Sequence, residues 1–321
     1  MERARLIRHA IIAVVLLSGL IWSMAEAQQE MKAASFPEGG FLVTGQWLRE
    51  HQGDDNLVIV DVRSEKDVQQ EGGTYIADAI RLPWSTFRFS DTAYGIGDRF
   101  VGVEEARKIL GSAGIARNST VVLYDSVKND GGATASYLFW ILDLLGHEKM
   151  HLLEQGIDGW IAAEGAVTRQ ARKAEPVLYQ VPAGAVRVDR LASEQFIYDR
   201  LGDPLYTVLD VRSREEYLGQ KPNMGLTGSV LKLGHIPTAV NVDYRLNWVD
   251  SDSKAVKSYR ELQELYRGFD PSLPVIVYCH SGRRSSFTYF ILRLMGFEKV
   301  ILYDNSWNGW GRHQALSLIH I

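Results

Sequence analysis

PVIVYCHSGRRSSFTYFILRLMG, residues 274–296, decides the fold of this 321-residue chain. Val275 to Tyr278 is a short β-branched apolar run behind Pro274, the pattern of a buried parallel strand. From Phe287 the apolar residues recur at helical spacing through Phe290, Ile291, Leu294 and Met295, and Gly296 is placed to end the helix. Between strand and helix stand Cys279, the single cysteine of the chain, and a basic loop with one glycine. In open α/β sheets ligands bind in the crevice at the carboxyl ends of the strands. That is where this spacing puts the thiol.

A free thiol titrates near pH ~8.5, so little of it is thiolate at neutrality. A helix N-terminus favours an anion by roughly 0.3–1 kcal/mol, which lowers the thiol pKa by about one unit at most. Arg283 and Arg284 are expected to supply the rest, with the backbone N–H groups of His280 to Ser285, Ser281 and Gly282 among them, curling around the sulfur. A small buried hydrophobe is the ordinary reading of a lone cysteine. Two arginines and a glycine have no reason to crowd such a residue.

Outward from this stretch the chain repeats itself. VIVDVRSEKDV at Val58–Val68 matches TVLDVRSREEY at Thr207–Tyr217, and GHEKMHLLEQGIDGW at Gly146–Trp160 aligns without a gap on GFEKVILYDNSWNGW at Gly296–Trp310. Six of those 15 positions are identical, which marks an internal duplication. In the first copy the pattern predicts helices near Thr44–Glu50, Val103–Ala113 and Thr134–Leu145. Strands are expected at Leu57–Val60, Ala79–Leu82, Thr120–Tyr124 and Lys149–Leu153. Strands alternating with helices argue for a parallel α/β sheet. Residues 166–186, with Pro176, Pro182 and Gly184, read as a linker, and 28–40 as a loose arm.

Cys279-His-Ser-Gly-Arg-Arg-Ser285 resembles the active-site loop of the rhodaneses, and Asp210-Val-Arg212 and Gly234-His-Ile-Pro237 resemble that family's two upstream motifs. The resemblance covers about Phe41 to Leu316. It implies an α/β fold of tandem rhodanese-like domains, each a parallel five-stranded sheet flanked by helices. The first domain would be 41–165 and inactive, the second 187–318 and catalytic. Asp125 stands where Cys279 is in the other copy, and no arginine lies between Asp125 and Gly146. A carboxylate cannot carry a persulfide.

The resemblance implies sulfur transfer through a Cys279 persulfide, with thiosulfate or a related anionic donor and a thiol or cyanide acceptor, and no cofactor. Arg283, Arg284, Arg212, His280, Ser281 and Gly282 are the expected substrate-binding set. Arg63 stands at the place of Arg212 in the copy without a cysteine, which weighs toward a salt bridge there. His235, ahead of Ile-Pro, reads as structural. Two-domain rhodaneses often carry a second substrate-binding arginine four residues beyond Arg212; here that residue is Glu216. Phosphatase loops place an arginine where Ser285 stands, so a phosphatase or arsenate reductase of related fold is the weaker alternative. A non-catalytic persulfide or redox sensor stays open.

Residues 1–27 read as a cleavable leader: Arg3, Arg5 and Arg8, an apolar stretch from Ala10 to Trp22, then Ala25-Glu26-Ala27. The apolar stretch is shorter than the ~20 residues of a membrane span, so no stable insertion is expected after cleavage. A periplasmic or secreted location follows, in which the lone thiol would be exposed to oxidation. The net charge of −4 and the lack of a basic stripe argue against nucleic acid as a partner. The eight histidines are scattered and match no zinc spacing.

Overall fold

A computed structural model describes residues 36–312. The expected leader at 1–27 and the closing residues 317–321 lie outside the described residues. Two parallel sheets form the framework. The first runs Leu42–Val43, Met150–Leu153, Thr120–Tyr124, Leu57–Asp61 and Ile80–Arg81 across its width. The second runs Val240–Asn241, Thr207–Asp210, Val275–Tyr278 and Val300–Leu302, and its fifth position is a single parallel bridge from Leu191 to Leu302.

The duplication holds atom by atom. Asp61 pairs in register with Tyr124, and Asp210 with Tyr278. Arg63 and Arg212 each donate Nε to their aspartate at 3.0 Å. The hydroxyls of Tyr124 and Tyr278 each accept an N–H at 3.1 Å, from Ile76 and Ile236. Identical local sequences build identical strand ends.

The helix Arg283–Leu294 begins four residues ahead of its apolar repeat and is buried at every position from Ser285 to Leu292. One face packs on its own sheet and the other on the equivalent helix, Ala135–Leu144, which is buried throughout. Phe139 meets Phe290 edge-on with centroids 4.9 Å apart, and the hydroxyls of Ser136 and Ser286 lie 3.1 Å apart. Buried Asp143 accepts from Tyr289 at 2.5 Å and from Arg293 at 3.2 Å, and also pairs with Arg187. The two domains therefore share one core, to which each fully buried large apolar side chain contributes about 1.5–3 kcal/mol.

Residues 36–40 of the expected loose arm, and the expected linker, are docked. Phe36 is buried and packs edge-on against Tyr259, while the N–H of Glu38 reaches the carbonyl of Leu294. In the expected linker, Val167–Thr168 pairs antiparallel with Tyr75–Ile76, and buried Tyr179 meets Nδ1 of His147 at 2.9 Å. An antiparallel hairpin, Arg88–Asp91 with Ile96–Phe100, was not legible as an element, since its strands are short and partly exposed. It crosses to the second domain and bears directly on the cysteine loop. Among the described residues no helix is long and apolar enough to cross a membrane.

Candidate active site

Cys279 follows the buried strand Val275–Tyr278 directly and is 1% exposed. The loop folds the thiol inward. The turn of the loop needs Gly282, whose φ is +86°, and a Cβ there would lie 2.6 Å from Oδ1 of Asp304. The loop is held from behind by the helix Ser306–Trp310. The N–H groups of Cys279 and Gly282 both donate to Oγ of Ser306 at 3.1 Å, and the carbonyls of Cys279 and His280 accept from the N–H groups of Trp307 and Asn308. Ser306 stands at φ +50°, and its counterpart Gly156 at +53°. Ser306, Trp307 and Asn308, just ahead of the Gly-Trp ending, are thus the clamp on the cysteine loop.

Burial pushes the Cys279 thiol up, and four groups more than offset it: the charge of Arg284, the hydroxyl of Ser285, and the N–H groups of Ser285 and Ser281. The net pKa is lowered. The Ser285 hydroxyl lies 3.5 Å from Sγ. The residue that occupies the phosphatase arginine position thus brings its hydroxyl to the sulfur, the same hydroxyl that lies 2.9 Å from the carbonyl of Gly282.

The two loop arginines part company. Arg284 binds Glu216 with both Nη atoms, at 2.8 and 2.9 Å. Burial pushes Glu216 up, but the bond and charge of Arg284 hold it down to about 2. The glutamate that departs from the family pattern is the partner of the loop arginine. Arg283 instead turns to the first domain, where it pairs with Asp130, lies 3.4 Å from Oγ1 of Thr134 and sits 5.5 Å from the ring of Trp84. The expectation that both arginines act on the thiolate gives way to Arg284 as the main charge.

Arg212 is held in the structure as an anchor of the loop. It is wholly buried, bound to Asp210, donates to the carbonyl of Gly234 at 2.7 Å and lies 4.4 Å from the ring of Trp307. Arg63 has the same kind of setting in the first domain. His280 is half-buried and its Nδ1 has no partner. Burial and then Arg284 push it down to about 4, so it is neutral at ordinary pH. The carbonyl of Ser281 accepts from Arg88 at 2.5 Å.

Arg88 belongs to the first domain, 193 residues away. Its side chain is 2% exposed, lies against the rings of Tyr137 (4.7 Å) and Trp84 (5.1 Å), and comes within 3.9 Å of Asp304. Asp304 in turn accepts from the Tyr137 hydroxyl and the Phe100 N–H, both at 2.8 Å. Only topology brings these groups together, and no local signal marks them.

In the first domain Asp125 occupies the corresponding loop. Its carboxylate accepts N–H bonds from Gly132 at 2.8 Å and from Thr134 and Ala135 at 3.1 Å. Burial pushes it up to about 6 against those bonds. That loop is filled by its own acid. Among the described residues no group of three or more His, Cys, Asp or Glu side chains is arranged to hold a metal ion.

The model of the rhodanese-like domain matches the chain twice, over 44–163 and 193–313. A Mycobacterium bovis protein, SseA, provisionally named a thiosulfate sulfurtransferase, is 34% identical over 304 residues, spanning 92% of this chain and 95% of that one. A Corynebacterium glutamicum protein named thiosulfate sulfurtransferase is 30% identical over 84% of this chain and 87% of its own length. A Thermus thermophilus protein named sulfur carrier protein TtuD is 31% identical over 84% and 93%. In fold, the chain is similar to an anaerobic ergothioneine biosynthesis enzyme from Chlorobium limicola, with a TM-score of 0.72 over 88% of this chain and 70% of that one at 20% identity.

Proposed function

This chain belongs to the rhodanese family, and we propose that it is a sulfurtransferase that takes the outer sulfur of thiosulfate, or of a related anionic donor, onto Cys279 and passes it to cyanide or a thiol. The observation that carries this reading is a buried thiol whose pKa is lowered by a guanidinium, a hydroxyl and two loop N–H groups. The thiolate attacks the outer sulfur of the donor. A Cys279–sulfur bond forms, the donor S–S bond breaks, and its electron pair leaves with sulfite. The acceptor then attacks the terminal sulfur and restores the thiolate. A preformed thiolate needs no general base, and two half-reactions imply ping-pong kinetics. The N–H groups of Ser281 and Ser285 would hold the negative persulfide where they now favour the thiolate.

Intact mass tests the proposal. Purified protein treated with thiosulfate should gain one sulfur atom, and cyanide should remove it with release of thiocyanate. No gain of sulfur with any sulfane donor would overturn the reading. A carrier role, supported by the relative named a sulfur carrier, predicts the same single gain without sustained sulfite release under excess cyanide.

Export is proposed with it, from the basic, apolar and Ala-Glu-Ala pattern of residues 1–27. N-terminal sequencing of the native protein should begin near Gln28. A membrane-bound chain that retains Met1 would refute export with cleavage.

A further inference from the structure

From Asp125 to Gly146 the chain advances 21 positions, and from Cys279 to Gly296 only 17, so the loop without a cysteine carries four additional residues. These residues lie against the second domain. Lys254 donates to the carbonyls of Val127 and Asn129, and the indole of Trp248 donates to the carbonyl of Gly131 at 3.3 Å. At Gly131 a Cβ would come within 2.5 Å of the Lys254 side chain, and at Gly132 within 3.2 Å of the Phe287 ring. The longer loop of the inactive copy is thereby seated on the active one.

At the tip of this loop is Asp130, which pairs with Arg283 and accepts from the Tyr244 hydroxyl at 3.5 Å. Burial, and then the charge of Asp130, push Tyr244 up to about 12, so it stays a neutral donor. Its ring lies 6.0 Å from the guanidinium of Arg284. Each loop arginine therefore has its own carboxylate, but the two pairs differ. Glu216 is 5% exposed and held by two bonds, whereas Arg283 and Asp130 are 31% and 17% exposed and joined through one Nη. A partly solvated single contact opens far more readily than a buried bidentate one.

We propose that Asp130, a residue of the non-catalytic domain, is a specificity-determining residue: it neutralises Arg283, the neighbour of Arg284 on the first turn of the loop's helix, and so discriminates against doubly charged sulfur donors. This rests on the sulfur-transfer reading. A dianion can use Arg283 only after Asp130 has released it, and it meets the aspartate's charge on the way in. A monoanion meets half that repulsion.

The test compares thiosulfate with a monoanionic alkanethiosulfonate, which donates its outer sulfur to the same thiolate and releases sulfinate. Asp130→Asn keeps the shape and an acceptor for Tyr244. It should lower the KM for thiosulfate by about three- to tenfold and move the thiosulfonate KM by less than half as much on a log scale. Adding Arg283→Ala to Asp130→Asn should cancel the gain. An unchanged ratio of the two KM values, or a rise for thiosulfate, would overturn the proposal. A second readout needs no sulfur transfer: sulfate should protect Cys279 from iodoacetamide more strongly in Asp130→Asn than in the parent protein. If that protection strengthens while no persulfide forms, the gate stands and the sulfurtransferase reading falls. If persulfide forms but protection is unchanged, the reading stands and the gate falls.

Discussion

Cys279→Ser will lose sulfur transfer by at least about a thousandfold while the protein keeps its fold, because removing the nucleophile of a covalent mechanism leaves only residual catalysis. The serine hydroxyl is not ionised at any working pH, so the Arg284 charge and the N–H donors that favour a thiolate have nothing to stabilise. The cost to the fold is small. The site is 1% exposed, and serine has nearly the shape of cysteine, so the loss is that of one small buried polar substitution, about 1–2 kcal/mol. Sulfite release from thiosulfate with excess cyanide, followed beside thermal unfolding, checks both halves. Activity above a few per cent with an unchanged melting temperature would mean that another group carries the sulfur.

What the chain discloses in sequence and what it hides divide along contact distance. Val275–Tyr278 and Thr120–Tyr124 were legible to the residue because a buried parallel strand is a continuous apolar run with sharp ends. The repeat placed Asp125 opposite Cys279 and identified Arg63 and Arg212 as the same structural feature. The side-chain directions were not legible. Arg283 and Arg284 are neighbours on one helix turn, and the packing of the first domain on that turn decides which faces the thiol. Glu216 looked like the loss of a substrate arginine, and its bond to Arg284 across 68 residues gives it a different meaning. Arg88 is bound to the loop across 193 residues and lies in a hairpin with no strong strand pattern. Ser306 gave a signal that could have been read: it aligns with Gly156, and a position that is glycine in one copy marks a backbone in the left-handed region.

The Arg284–Glu216 pair lets charge at the thiol be separated from stability. Glu216 stands at about 2 rather than 4.5: burial raises it, but the Arg284 bond and charge lower it further. A carboxylate lowered in the folded state stabilises the protein above its unfolded pKa, and the benefit is lost as pH falls from about 4.5 to about 2. At about 1.36 kcal/mol per unit this is worth about 3 kcal/mol at neutral pH. Arg284→Ala removes that partner and leaves a charge on a side chain 5% exposed, so the loss should be about 3–5 kcal/mol. It also inverts the pH dependence. Unpaired, Glu216 titrates above its unfolded value, and the variant should gain stability as the pH is lowered toward that value. Activity loss in Arg284→Ala alone would therefore mix unfolding with chemistry. Arg284→Ala with Glu216→Gln removes both charges and should recover most of the stability, yet its Cys279 should react with iodoacetamide at a pH about one to two units higher than in the parent. Glu216→Gln alone leaves Arg284 unneutralised and should shift that profile downward. Arg284→Lys should hold the profile near the parent's while losing the two-bond grip on Glu216. If the double variant alkylates with the same pH profile as Glu216→Gln alone, Arg284 does not lower the thiol, and the Ser285 hydroxyl with the N–H groups of Ser281 and Ser285 must account for the site alone.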